Sequence, residues 1–151
     1  MPEAGEASLI NFTDEGFLYC SGMDGKGIIN EINFKSLVKD ITDQCSFVNE
    51  WKSYGSTTRI KIIPGYVVVT GLVYAGLTAA NTKILHIPDS VVQLDPSCMY
   101  VYGSLKALSS STSASILMPF RSYYLQIDNN VILTPFEQGD LVSIFAMLPL
   151  K

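Results

Sequence analysis

Charge is the scarcest commodity in this chain. Only 16% of its 151 residues are Asp, Glu, Lys or Arg while 48% are hydrophobic, against roughly 25% charged in an ordinary soluble domain. So much apolar surface with so little charge implies that part of the exterior is covered, and a further copy of the chain is the economical cover. The ten Lys and Arg are scattered and the net charge is −4, which argues against a nucleic-acid surface, because phosphate binding needs a basic patch that displaces counterions. No run reaches the 18 or more apolar residues of a membrane helix, and the N-terminus has neither the basic head nor the apolar block of a secretory signal. A soluble protein with no membrane insertion is expected. Cysteine is sparse as well: Cys20, Cys45 and Cys98 are widely spaced, form no CxxC pair and have only His86 as a possible co-ligand. Structural zinc, which takes about four such ligands, is not expected. Free buried thiols and folding in a reducing cytoplasm are.

What is present divides by texture near residue 50. In the first fifty residues Glu3, Glu6, Asp14 and Glu15 accompany a glycine-rich stretch, Gly22 to Gly27, expected to form turns. Leu9 to Phe12 and Phe17 to Cys20 read as small strands around the turn Thr13-Asp14-Glu15-Gly16. Phe34, Leu37, Val38, Ile41, Cys45 and Val48 recur at spacings of three and four, which predicts a short amphipathic helix with Asn33 as its N-cap. A helix this short needs its stripe packed, either against its own chain or in a neck between copies. Residues 1–50 are thus read as a connector, and 51–151 as a separate head domain.

From Trp51 onward the period is that of strands. Thr57 to Ile63 alternates, Pro64-Gly65 turns the chain, and Tyr66 to Tyr74 (YVVVTGLVY) is apolar on both faces. A strand apolar on both sides is buried on both sides, so its outer face calls for another element or another subunit. Ala75 to Lys83 reads as a loop. Ile84 to Ile87, Val91 to Leu94, Met99 to Leu105, Ile116 to Met118, Tyr123 to Ile127 and Leu141 to Leu148 read as further strands. Ser109 to Ser115 reads as a mobile low-complexity loop, and Asp128-Asn129-Asn130 as a hairpin turn returning through Val131 to Leu133. Short strands with turns this frequent predict an all-β sandwich or small barrel, and an antiparallel, jelly-roll-like β-sandwich is the form expected.

The order of these features resembles a known family. Trp51, the glycine-bounded strand Val67 to Gly76, the Leu85 to Pro88 step, the strand Tyr124 to Val131 and the closing run Gly139 to Leu148 are together similar to the C-terminal head domains of tailed-phage fibres and receptor-binding proteins. They cover about two-thirds of the chain. The resemblance implies a β-sandwich head that trimerises at a fibre tip, is displayed on the virion beside other tail proteins, and binds a host-surface saccharide or protein. Asp89-Ser90 stands where such domains often carry a Tyr-Arg-Pro step, and residues 1–50 match no part of the pattern.

No catalytic constellation accompanies these strands. His86 lies within a strand and reads as structural rather than as the base of a Cys-His pair. Asp128 with two Asn residues reads as a hairpin, since calcium takes six or more oxygens. The glycine-rich Gly22 to Gly27 lacks phosphate-loop spacing. Neither an enzyme nor a cofactor is expected. Aromatic residues are the better indication: Trp51, Tyr100, Tyr102 and Tyr124, with Arg121 and Gln126 as polar neighbours, are the candidate ligand-binding residues. Tyr and Trp stack on sugar rings and hydrogen-bond hydroxyls, and they equally line subunit contacts. The expected function is a non-catalytic viral head that trimerises and binds a host receptor. A purely structural virion protein, a trimerisation tip or capsid decoration without a ligand site, is the alternative.

Overall fold

A computed structural model describes residues 7–12, 18–23, 29–32, 37–95, 102–119, 122–128 and 134–151, and the chain divides into two compact units, Met1–Lys39 and Asp40–Lys151. The smaller unit carries an antiparallel sheet of three strands, β1 (Ala7–Phe12), β2 (Leu18–Met23) and β3 (Ile29–Ile32). The hairpin expected from Leu9 and Phe17 is present, with Phe12 opposite Leu18. Gly22 is paired within β2, opposite Ala7, rather than lying in a turn. The turn at Thr13 to Gly16 and the rest of the glycine-rich stretch from Asp24 lie outside the described residues.

The larger unit is built on one antiparallel sheet that curls into a half-barrel. Its strands are β4 (Lys39–Asp40), β5 (Ser46–Phe47), β6 (Lys52–Ser53), β7 (Arg59–Ile63), β8 (Tyr66–Tyr74), β9 (Lys83–His86), β10 (Tyr102–Ala107), β11 (Ser113–Leu117), β12 (Tyr124–Ile127) and β13 (Leu141–Pro149). Their order across the sheet is β4-β7-β8-β13-β10-β11-β12-β9-β5, with β6 also paired to β8. The all-β, antiparallel expectation holds.

The expected helix does not form. Among the described residues of Leu37 to Val48 there is no α-helix: Leu37 is in 3-10 conformation, and a 3-10 turn, Thr42–Gln44, lies between the two-residue strands β4 and β5. The reason lies in the topology. Consecutive β4 and β5 pair at opposite ends of the sheet, so the few residues between them bridge its two edges. A chain of that length spans at most about 20 Å, and this tether draws the edges together and maintains the curl. Ile41, 1% exposed, is the buried pin of the bridge, and its N–H donates to the Ile60 carbonyl at 2.8 Å. Leu37 and Val38 of the presumed stripe are instead 44% and 42% exposed. Asn33, the expected cap, lies outside the described residues.

Two further expectations are corrected. Val91 to Leu94 is not a strand: the Val91 and Val92 amides turn back onto the Pro88 carbonyl, and only Leu94 makes an isolated bridge, to Leu150. Ser113 to Ser115 is not loop but the start of β11, where Ala114 and Ile116 face the core and the serines face out. Proline brackets suppress the former, and alternation hidden among small residues permits the latter.

The core fills the inner face of the curl. Val67, Val69 and Val73 of β8 join Val142, Ile144, Ala146 and Leu148 of β13, all at most 2% exposed. At the centre of β8, Gly71 takes φ +140°, and a Cβ there would stand 2.5 Å from the Thr58 Cα, so only glycine lets β7 begin so close.

Candidate functional site

The sequence candidates fall in three separate places. Trp51 is core: it is 3% exposed, packs edge-on against Phe136 with ring centroids 6.1 Å apart, and donates its indole N–H to the Leu77 carbonyl at 2.9 Å. Its ring is thereby committed to tying the β5–β6 connection to two other loops. Tyr100 and Arg121 lie outside the described residues. Tyr102 is placed by its backbone in β10, opposite Met147 of β13.

Tyr124 and Gln126 do come together, on the face of β12 opposite Leu125 and Ile127, which point into the core. Alternation on β12 explains this pairing. Their cross-strand partners on β9 come from an irregularity in register: Tyr124 faces His86, Leu125 faces Leu85, and Gln126 faces Lys83. Skipping one residue buries Ile84 and Leu85 side by side, both fully, and leaves Lys83 and His86 with Tyr124 and Gln126. His86 stacks on Tyr124 at 4.6 Å with rings 23° apart, and the Lys83 Nζ lies 4.3 Å from the same ring centroid. Gln126 is 9% exposed and donates from Nε2 to the Asn81 Oδ1 at 3.2 Å. The row offers a cation, an imidazole and a phenol on the sheet face one strand in from the β5 edge; the Tyr124 ring is already engaged by two neighbours.

A third cluster was not anticipated by the sequence. At the end of β8, Tyr74 packs edge-on against Tyr54 with centroids 5.4 Å apart, and Lys52 of β6 holds its Nζ 5.5 Å from the Tyr74 ring centroid. Lys52 and Tyr74 border an open cleft of about 760 Å³ lined also by Glu50, Trp51, Ala75, Gln138 and Gly139. Glu50 accepts a hydrogen bond from the Gln138 amide across it. The pairing of Lys52 with Tyr74 brings β6 to this spot. A two-residue strand has no period, so no pattern in the sequence announces it.

The outer face of β8 and β13 carries a row of apolar side chains. Alternation places Tyr66, Val68, Thr70, Leu72 and Tyr74 outward on β8, directly opposite Pro149, Met147, Phe145, Ser143 and Leu141 of β13. Phe145 is 45% and Tyr66 42% exposed, so each leaves roughly 100 Å² of ring and side chain open. The two-sided apolar pattern of Tyr66 to Tyr74 is therefore satisfied on the inner face and left open on the outer one.

Among the described residues no three His, Cys, Asp or Glu side chains are placed so that they could hold one metal ion. Cys45 is half-buried, and desolvation pushes its thiol up to about 11, the opposite of the shift that activates a nucleophilic cysteine. No family model matches the chain, and neither a curated protein nor a solved structure is significantly similar to it.

Proposed function

We propose that this chain is a non-catalytic head of a viral fibre or tail tip, a homotrimer of sandwich-type, jelly-roll-like subunits that is displayed on the virion and binds a host-surface receptor, saccharide or protein. The observation that carries the reading is the open apolar face of β8 and β13. Tyr66 and Phe145 are exposed and Val68, Leu72, Tyr74 and Met147 half-buried in one row on one sheet surface, and contiguous apolar patches mark interaction sites. The order of strands and turns from Trp51 onward, similar to fibre heads, supports the choice of assembly. Receptor contact falls to the aromatic and cationic groups of the Lys83–Tyr124 row, whose individually weak sites are multiplied across subunits and fibres.

A purely structural virion role is the second reading. It is favoured by one specific observation: the Trp51 ring and the Tyr124 ring, two of the sequence's ligand candidates, are already packed within the chain. Mass by light scattering across a dilution series tests assembly. A trimer that persists on dilution is the expected result, and a monomer at every concentration refutes the reading. Binding to a panel of immobilised glycans then separates a receptor-binding head from a structural tip.

A further inference from the structure

Resting on the trimer reading, the distribution of charge identifies which surface of the neighbouring copy covers the apolar face. The face is flanked by cations on both sides. On β7, Arg59 and Lys61 point outward opposite Thr70 and Val68, and on β10 Lys106 lies opposite Ser143. Asp40 stands near Arg59 and Lys61 at the far side of β7 and offsets them in part. Acidic groups gather elsewhere, past the end of β8: Glu50 and Glu137 are exposed, and the Asp140 carboxylate holds the Glu137 N–H at 2.8 Å. Among the described residues, Lys52 is the one cation lining the cleft beside Glu50. The chain thus carries a cation-flanked apolar face and, adjoining its Tyr74 and Leu141 end, a corner in which acidic groups predominate over Lys52.

We propose that a second copy of this chain seats its acidic corner, Glu50, Glu137 and Asp140, against the cation-flanked face of β8 and β13, head to tail. In a two-fold contact the same patch meets itself, which would set Arg59, Lys61 and Lys106 against their own copies. A head-to-tail contact joins unlike surfaces, pairs opposite charge and, repeated by rotation, closes a ring. Phe145 and Tyr66 supply the desolvated centre of the contact, and the charges fix its direction.

The test uses the full chain and light scattering across dilution at low and high salt. The double variant Lys61→Glu with Lys106→Glu reverses the flank, and Glu50→Lys with Glu137→Lys reverses the corner; far-UV circular dichroism and thermal unfolding verify that each remains folded. Each double variant is expected to move the dissociation midpoint of the trimer to about tenfold higher concentration or more, and all four changes combined in one chain are expected to restore it. In the wild type, salt is expected to weaken assembly. A trimer whose midpoint neither pair of changes moves overturns this interface and leaves the trimer reading intact. A wild-type monomer overturns both.

Discussion

Replacing Trp51 distinguishes a structural tryptophan from a ligand platform. Being the sole tryptophan, it reports its own surroundings by fluorescence. The structure places the ring at 3% exposure, edge-on to Phe136, with its N–H on the Leu77 carbonyl. Trp51→Phe removes that hydrogen bond. Leu77 is 45% exposed, so water can reach its carbonyl and the loss is about 1 kcal/mol. The smaller ring leaves a gap beside Phe136 that adds about 1 kcal/mol more, whereas Trp51→Ala empties the site and costs about 4 kcal/mol. At about 4 °C per kcal/mol for a domain of this size, the melting temperature falls by roughly 8 and 16 °C respectively. Circular dichroism during thermal and urea unfolding measures both. A cycle with Phe136→Leu is expected to give a coupling of about 1 kcal/mol. The wild-type emission is expected to be blue-shifted, protected from acrylamide and unaltered by any saccharide bound at the surface. A red-shifted, freely quenched emission, or a Trp51→Phe variant within 0.5 kcal/mol of wild type, refutes the placement of Trp51 in the core.

Other perturbations follow from single contacts. Gly71→Ala combines φ +140° with a Cβ 2.5 Å from the Thr58 Cα and is expected to destabilise by about 3 kcal/mol or more. Gly65→Ala, at φ +81° with open space around it, is expected to cost only about 1 kcal/mol, and equal losses in urea melts would contradict the role given to β7 packing. Cys45 carries a thiol raised from 9.0 to about 11 by burial. The folded state therefore favours the neutral thiol, its contribution is complete below pH 9.0 and is lost as pH rises toward 11. Alkylation of Cys45, mapped by peptide mass at pH 8, is expected to be much slower in the folded chain than in urea; equal rates would show the site open. The Asp40 carboxyl lies below its usual 3.8, first because the Thr42 hydroxyl donates to it at 2.6 Å and then because the Thr42 N–H does so at 3.0 Å. Its support for the turn is present above pH 3.8 and disappears as pH falls through the lower folded value. The Thr42 amide shift followed by NMR is expected to titrate in that lower range, and Asp40→Asn is expected to abolish the titration.

How much of this was legible in the sequence depends on element length. The long strands were readable because nine residues give a period several chances to declare itself: the YVVVTGLVY run and the closing Leu141 to Leu148 run lie within β8 and β13. Strands of two residues such as β4, β5 and β6 carry no period, so the bridge that curls the sheet was invisible. In its place the spacing of Leu37, Val38, Ile41 and Cys45 imitated a helix. That imitation could have been discounted by composition, since the same stretch holds Val38, Ile41, Thr42, Ser46 and Val48, which are poor helix formers. Tyr124 and Gln126 were legible as a pair because they stand two apart on one strand. His86 and Lys83 join them through a bulge and a cross-strand register, long-range facts that no local pattern encodes.

The outer face of β8 and β13 connects the composition to the assembly. A chain with 16% charge has few residues with which to solvate its exterior, and how it distributes them carries information. Arg59, Lys61 and Lys106 are placed beside the apolar row and none within it; among the outward positions of β8 and β13 only Thr70 and Ser143 are polar. An outer strand face meant for water would alternate charge with the buried positions, since antiparallel sheets solvated on one side do so. Here the alternation runs from apolar to apolar. Edge growth on this side is limited as well, because β4, the edge strand beside β7, is only two residues long. In the assembly proposed above, a neighbouring subunit would approach this face from above, packed onto the sheet and not extending it by another strand.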